Sequence, residues 1–96
     1  MASNFRIHQD RKSDCLHLKL TGDMDGDSAY EIINLLDGNS NGIKDVVIET
    51  SGLTTIFPFG RNVFSKNFHK IKNQYADILF TGGNSNQINP EREYSL

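Results

Sequence analysis

The sequence predicts an α/β fold: a mixed, mostly parallel sheet of four to five strands with helices packed on it, in the chain order β-β-α-β-α-β. Three observations carry that expectation. Leu16, Leu18 and Leu20 alternate with Cys15, His17 and Lys19, the period of a strand with one buried face. Ala29, Ile32, Ile33 and Leu36 fall at i, i+3, i+4 and i+7, one face of a helix. Two short apolar runs, Val46-Val47-Ile48 and Ile78-Leu79-Phe80, then stand on either side of a second helical pattern.

Each element follows from local chemistry. Phe5 and Ile7 begin a first strand, the polar stretch Gln9 to Asp14 reads as a turn, and the leucine strand follows, so the first two strands form an antiparallel hairpin. Thr21 to Gly26 breaks the alternation. Asp27 or Ser28 is then placed to cap the first helix, with capping-box spacing from Ser28 to Glu31. Asp37 to Gly42 ends it, glycine supplying a left-handed cap. The Val46 run lacks alternation, as expected of a strand covered on both faces, and the strand ends near Glu49. A loop from Thr50 leads to Pro58, which suits the first turn of a helix because its missing N–H costs nothing there. Phe64, Phe68, Ile71 and Tyr75 form the apolar face of that helix, and Lys66, Lys70 and Lys72 sit late in it with the favourable sign for its dipole. Ile78 to Phe80 is a second doubly covered strand, and residues 84–96 read as a polar tail or short helical stub. Both strand-helix-strand units should cross over right-handedly.

Composition narrows the function classes. The chain has 96 residues, the size of one domain spanning 1–96. Lys+Arg 10 against Asp+Glu 12 gives a net charge of −2, so there is no basic field for nucleic acid phosphates. A single cysteine, Cys15, excludes a disulfide framework and a cysteine-rich zinc site. No apolar stretch approaches a membrane span, and the first residues lack a signal-peptide core. The expectation is a soluble, cytoplasmic domain with no membrane and no nucleic acid partner.

Three segments together resemble the STAS domain, the fold of bacterial anti-sigma factor antagonists. Leu16 to Asp25, "LHLKLTGDMD", is similar to the family's strand ending in Gly-Glu-Leu-Asp or Gly-Asp-Leu-Asp. Asp45 to Gly60, "DVVIETSGLTTIFPFG", is similar to a strand followed by Asp-Leu-Ser-Gly-Val-Thr-Phe-Ile-Asp-Ser-Ser-Gly. Ala76 to Gly83, "ADILFTGG", stands where the family has its next core strand. The order and spacing of the segments carry the resemblance, which covers residues 5–85. It implies a protein partner, an anti-sigma factor or a related kinase, and a switch by phosphorylation of a loop serine. At that loop the chain departs from the family. Phe57 stands at the family's aspartate, Pro58 at the phosphorylated serine, Phe59 at the next serine and Gly60 at the glycine. Proline has no hydroxyl, so binding is expected to be constitutive. Glu49 replaces the strand-end aspartate, and only the residues from Asn84 to Leu96 remain where the family carries a further amphipathic helix.

Other chemically suggestive residues have plainer readings. Counted from Asp23, a calcium loop would need glycine at Ser28 and glutamate at Asn34, so Asp23-Met24-Asp25-Gly26-Asp27 fails that pattern. By the resemblance, Asp23 and Asp25 border the partner surface. Cys15 and His17 share a strand face, but no further ligand accompanies them. Gly82-Gly83-Asn84-Ser85-Asn86 lacks the Lys-Ser/Thr ending of a P-loop. Ser51, Thr54 and Thr55 are alternative phosphoacceptors. Phe57-Pro58-Phe59 is the most informative feature: the two rings do not both turn inward easily, and exposed aromatics are enriched in binding hot spots. Arg61 is a polar neighbour of theirs.

The expectation is therefore a non-catalytic protein-interaction module, with no metal and no cofactor. Its candidate contact residues are Asp23, Asp25, Phe57, Pro58, Phe59, Gly60 and Arg61. Two alternatives stand beside it. One is a small-molecule or nucleotide binder of the same fold. The other is a self-associating module, a weak homodimer or a chain whose Ile88, Tyr94 and Leu96 fold over the sheet left uncovered by the missing helix.

Overall fold

A computed structural model describes residues 4–90. Strands β1 (Arg6–Lys12) and β2 (Cys15–Met24) precede helix α1 (Gly26–Leu36); β3 (Asp45–Ile56), α2 (Pro58–Lys72), β4 (Asp77–Thr81) and the single turn α3 (Ser85–Ile88) follow. The four strands form one sheet in the order β1-β2-β3-β4, with β1 antiparallel to β2 and the other neighbours parallel. The expected β-β-α-β-α-β order and mixed sheet are present.

The hairpin is tighter than its polarity indicates. Instead of turning over Gln9 to Asp14, β1 runs to Lys12, and Ser13 takes the left-handed backbone at φ 58°. Edge position explains this. Gln9 to Lys12 pair their backbones with Leu18 to Cys15 while their side chains stand in solvent, so polarity there does not end the strand.

Both central strands also outrun expectation. β2 continues through Thr21 and Gly22 to Met24, and β3 continues past Glu49 to Ile56. Pairing steps from Lys19↔Glu49 to Thr21↔Gly52, and from Gly22↔Leu53 to Asp23↔Thr55, so β3 takes up an extra residue at each step. Bulges of this kind hide a continuing strand from a period-two reading. Gly22, at φ 90°, lies where a β-carbon would strike the Asn4 carbonyl; its lack of a side chain lets the chain pass and bury Phe5.

Both long helices cover one face. Leu16, Leu18, Leu20, Val46 and Ile48 on that face are buried, and Ala29, Ile32, Ile33, Leu36, Phe64, Phe68 and Ile71 pack onto them as the helical spacing predicts. Tyr75, expected on the same helical face, lies past the end of α2 at Lys72 and is buried from the segment that follows it. Burying a large aliphatic side chain stabilises by roughly 1.5–3 kcal/mol, so this layer supplies most of the driving force. The opposite face is open, which corrects the expectation of doubly covered strands: Val47 is only half-buried and Leu79 is 54% exposed. The helices side with Val46, Ile48, Ile78 and Phe80, and nothing among the described residues packs over their alternating neighbours.

Helix α1 is capped by Asp25, not by Asp27 or Ser28. The Asp25 carboxylate accepts from the Ser28 backbone N–H at 2.9 Å and from its hydroxyl at 2.8 Å, which leaves Ser28 buried and satisfied and the Ser28–Glu31 box unused. At the far end of the layer the Tyr75 hydroxyl donates to the Leu36 carbonyl at 2.7 Å. Burial, with Asp37 nearby, pushes the phenol above its ordinary pKa. Phe64, Phe68 and Phe80 form an aromatic cluster with centroids 5.7 to 6.0 Å apart.

After β4 the chain turns at Gly82, and the Asn84 amide donates to the Thr50 and Leu53 carbonyls at 3.0 and 3.2 Å. That clamp seats α3 and buries Ile88 at 1% exposure in the core beside α2, so Ile88 does not cover the open sheet face on which Leu79 is exposed. Tyr94 and Leu96 lie outside the described residues.

Candidate functional site

The C-terminal ends of β2 and β3 lie side by side, Asp23 opposite Thr55 and Met24 opposite Ile56. Each strand leads directly into a helix, so the starts of α1 and α2 are neighbours. One hydrogen bond and two close approaches lock them together. The Phe57 N–H donates to the Met24 carbonyl at 3.0 Å. Gly60 is buried with its Cα so close to the next strand end that a β-carbon would come within 2.7 Å of the Met24 and Asp25 carbonyls. The Phe59 ring lies across Gly26, where a β-carbon would meet it at 2.7 Å. One glycine at each helix start therefore allows the contact.

These constraints sort the sequence-predicted residues. Asp25 is occupied by the cap. Asp23 is half-buried at the strand end, its N–H donating to the Asn4 side chain at 3.2 Å and its carbonyl accepting from Ser28 Oγ at 3.5 Å. Gly60 supplies close packing and has no side chain to offer a partner. Pro58 takes the first helical position, where the missing N–H leaves nothing unsatisfied. Phe57 precedes it at 43% exposure, and Phe59 stands at 70% exposure with its ring held against Gly26. Arg61 donates its backbone N–H to the Phe57 carbonyl at 3.0 Å, and its side chain lines a cleft of about 270 Å³ shared with Asn62, Ser65, Asn86 and Gln87, on the α3 side. The structure thus brings Phe57, Pro58 and Phe59 together at the surface, with Arg61 lining the cleft on the α3 side.

The alternative hydroxyls lie on β3, not in a loop. Ser51 donates its hydroxyl to one Glu49 oxygen at 2.7 Å and its N–H to the other at 2.8 Å. Those two bonds, the hydroxyl's being the stronger, hold the Glu49 carboxyl below its ordinary pKa, with a smaller contribution from Lys19 and His17. Thr54 and Thr55 are exposed. Among the described residues no group of three or more His, Cys, Asp or Glu side chains is placed to hold a metal.

One exposed residue escaped the sequence reading. Tyr30, 48% exposed, lies one helical turn after Gly26, on the flank of α1 that carries the Phe59 contact. Its signal was available: position 30 falls outside the Ala29–Leu36 face, so a large ring there has to stand clear of the core.

Neither a family model nor a curated sequence matches the chain. Solved structures do. The crystal structure of an anti-sigma factor antagonist STAS domain from Rhodobacter sphaeroides superimposes with a TM-score of 0.67 at 15% identity, over 86% of this chain and 91% of that one. The chain has a STAS-like fold. The anti-sigma factor antagonist SpoIIAA in its unphosphorylated form gives a TM-score of 0.64 at 7% identity, over 94% of this chain and 84% of that one. The STAS-like fold also appears within a larger protein. A crystal structure of Mglu matches with a TM-score of 0.67 at 20% identity over 91% of this chain, which spans only 20% of the Mglu chain. Among the described residues, no helix of this STAS-like chain is long and apolar enough to cross a membrane.

Proposed function

We propose that this chain is a single, cytoplasmic, non-catalytic STAS-like domain that binds a protein partner constitutively in bacterial-type signalling. The carrying observation is the start of α2, where Phe59 is 70% exposed beside the 43% exposed Phe57. Phe59 is pinned against Gly26, so its ring is pre-positioned and loses little freedom on binding; aromatic side chains presented this way dominate interface energetics. The partner class comes from the fold: an anti-sigma factor or related kinase, as for the antagonists it resembles. Tyr30 extends the contact surface along α1.

Constitutive binding rests on Pro58, which occupies the position that the resemblance assigns to the phosphorylated serine. Ser51 is a poor substitute. Its hydroxyl is already bonded to the Glu49 carboxylate, so a phosphate there would set two anions against each other. Thr54 and Thr55 are the remaining acceptors. Incubation with a kinase of the anti-sigma factor class and ATP is expected to leave residues 50–60 unlabelled while the complex still forms. Phosphate on Thr54 or Thr55 accompanied by loss of binding would restore a phosphoswitch and overturn this reading.

A weak homodimer is the second reading, favoured by Leu79, a large apolar side chain 54% exposed on the open sheet face.

A further inference from the structure

The two edges of the sheet are built differently. β1 carries Arg6, Asp10, Arg11 and Lys12, the charged side chains with which proteins keep an edge strand from pairing. β4 reads Asp-Ile-Leu-Phe-Thr, with no lysine, proline or bulge. Its one charge is at its first residue.

The backbone of β4 is half unpaired. Asp45 gives its N–H to the Asp14 carbonyl, on the β2 side. Successive residues of a strand address opposite neighbours, so Val46, Ile48 and Thr50 face β4, and Asp77, Leu79 and Thr81 answer them. The Thr50 hydroxyl bound to the Thr81 carbonyl at 2.7 Å agrees with this phase. Ile78 and Phe80 then direct both N–H and C=O away from the sheet, and no described residue pairs with them. A cleft of about 280 Å³ opens beside this edge between Phe68, Lys72 and Ile78.

We infer that β4 is a self-pairing edge: two copies of the chain join β4 to β4 antiparallel about a two-fold axis at Leu79, continuing the sheet from one molecule into the other. This rests on the weak-homodimer reading and goes past it by naming the surface and the register. The second copy is the occupant because the edge is complementary to itself. With Leu79 opposite Leu79, Ile78 meets Phe80 of the other chain, and both outward-facing residues of each strand exchange N–H···O bonds. Registers centred on Ile78 or Phe80 pair only one of the two. The same register stacks apolar on apolar, the exposed Leu79 side chains on the open face and the half-buried Ile78 and Phe80 on the helix face. It also sets Asp77 against the neutral Thr81, keeping the two aspartates apart. A pairing confined to one five-residue strand falls short of the roughly 1,200 Å² at which specific interfaces begin. Association is accordingly weak and concentration-dependent.

Cysteine cross-linking tests the register. At a non-hydrogen-bonded antiparallel pair the Cα atoms are about 4.5 Å apart, within disulfide reach. In a Cys15→Ser background, Leu79→Cys is expected to oxidise to a covalent dimer on the order of tenfold faster than Thr54→Cys, an exposed control, because pairing raises the effective thiol concentration. Asp77→Cys and Thr81→Cys should each cross-link poorly alone and well when mixed. Sedimentation of the unaltered chain should show a mass rising toward the dimer in a series reaching the millimolar range. Leu79→Lys should abolish that rise with the circular dichroism unchanged. A mass that rises regardless of Leu79→Lys, or a Leu79→Cys rate no higher than the control, would defeat this edge while leaving self-association elsewhere. A strictly monomeric chain defeats both. A monomer whose Ile78 and Phe80 amides resist hydrogen exchange assigns the edge to another segment of the chain and overturns the inference as well.

Discussion

Asp25 and Phe57 hold equivalent places in the fold, each the residue between a parallel strand and the helix that follows it, and the two junctions are built by opposite means. At the start of α1 the half-buried Asp25 carboxylate takes two hydrogen bonds from Ser28, and the polar groups answer one another. At the start of α2 no side chain caps the helix; Pro58 removes one donor, and two aromatic rings are left toward solvent. The charged residue is half-buried with its carboxylate engaged, and the apolar residues are outward. A side chain's chemical character is thus a poor guide to its availability, which depends on whether the local backbone already satisfies it.

The largest perturbation should come where the junctions touch. Gly60→Val puts side-chain atoms into the Met24 and Asp25 carbonyls, 2.7 Å from where the first of them would sit. Backbone carbonyls cannot swing aside as side-chain ends do, so urea denaturation should show a loss of about 2–3 kcal/mol. A loss under about half a kcal/mol, within the noise of surface substitutions, would mean the junctions are not locked together.

Asp25→Ala comes next. Removing an N-cap of this kind typically costs about 1 kcal/mol, and here it also strips the buried Ser28 hydroxyl of a partner. The loss should appear in the denaturant midpoint with little change in slope.

How far these positions could be read from the chain differs for physical reasons. Leu16, Leu18 and Leu20, and the Ala29–Leu36 and Phe64–Ile71 faces, are legible because one-sided burial imposes its own period on the residues. The strand ends are not. The extra residues in β3 break the alternation between Glu49 and Thr55, so the paired strand that carries Ser51, Thr54 and Thr55 has the sequence pattern of a loop. The cap fell on Asp25, two or three residues before the expected Asp27 or Ser28, because the strand ran on to Met24 and brought the helix start forward. Val47 and Leu79 looked doubly buried because composition does not reveal which face the helices choose. The exposure of Phe57 and Phe59 was half visible, in that both rings could not turn inward; the Gly26 platform under Phe59 exists only once two distant glycines meet.

The smallest expected effect on stability is the most consequential one. Phe59→Ala should shift stability by no more than about half a kcal/mol, since the ring is largely in solvent. The contrast between the junctions is therefore tested most directly by measuring, for Asp25→Ala and Phe59→Ala side by side, both the unfolding midpoint and the affinity for a kinase of the anti-sigma factor class by titration calorimetry. Phe59→Ala is expected to keep the midpoint and weaken binding by about thirtyfold, the equivalent of a 2 kcal/mol hot spot, while Asp25→Ala lowers the midpoint and leaves the affinity of the folded protein within about threefold. The reverse pattern, affinity lost with Asp25 and unchanged without Phe59, would contradict that contrast.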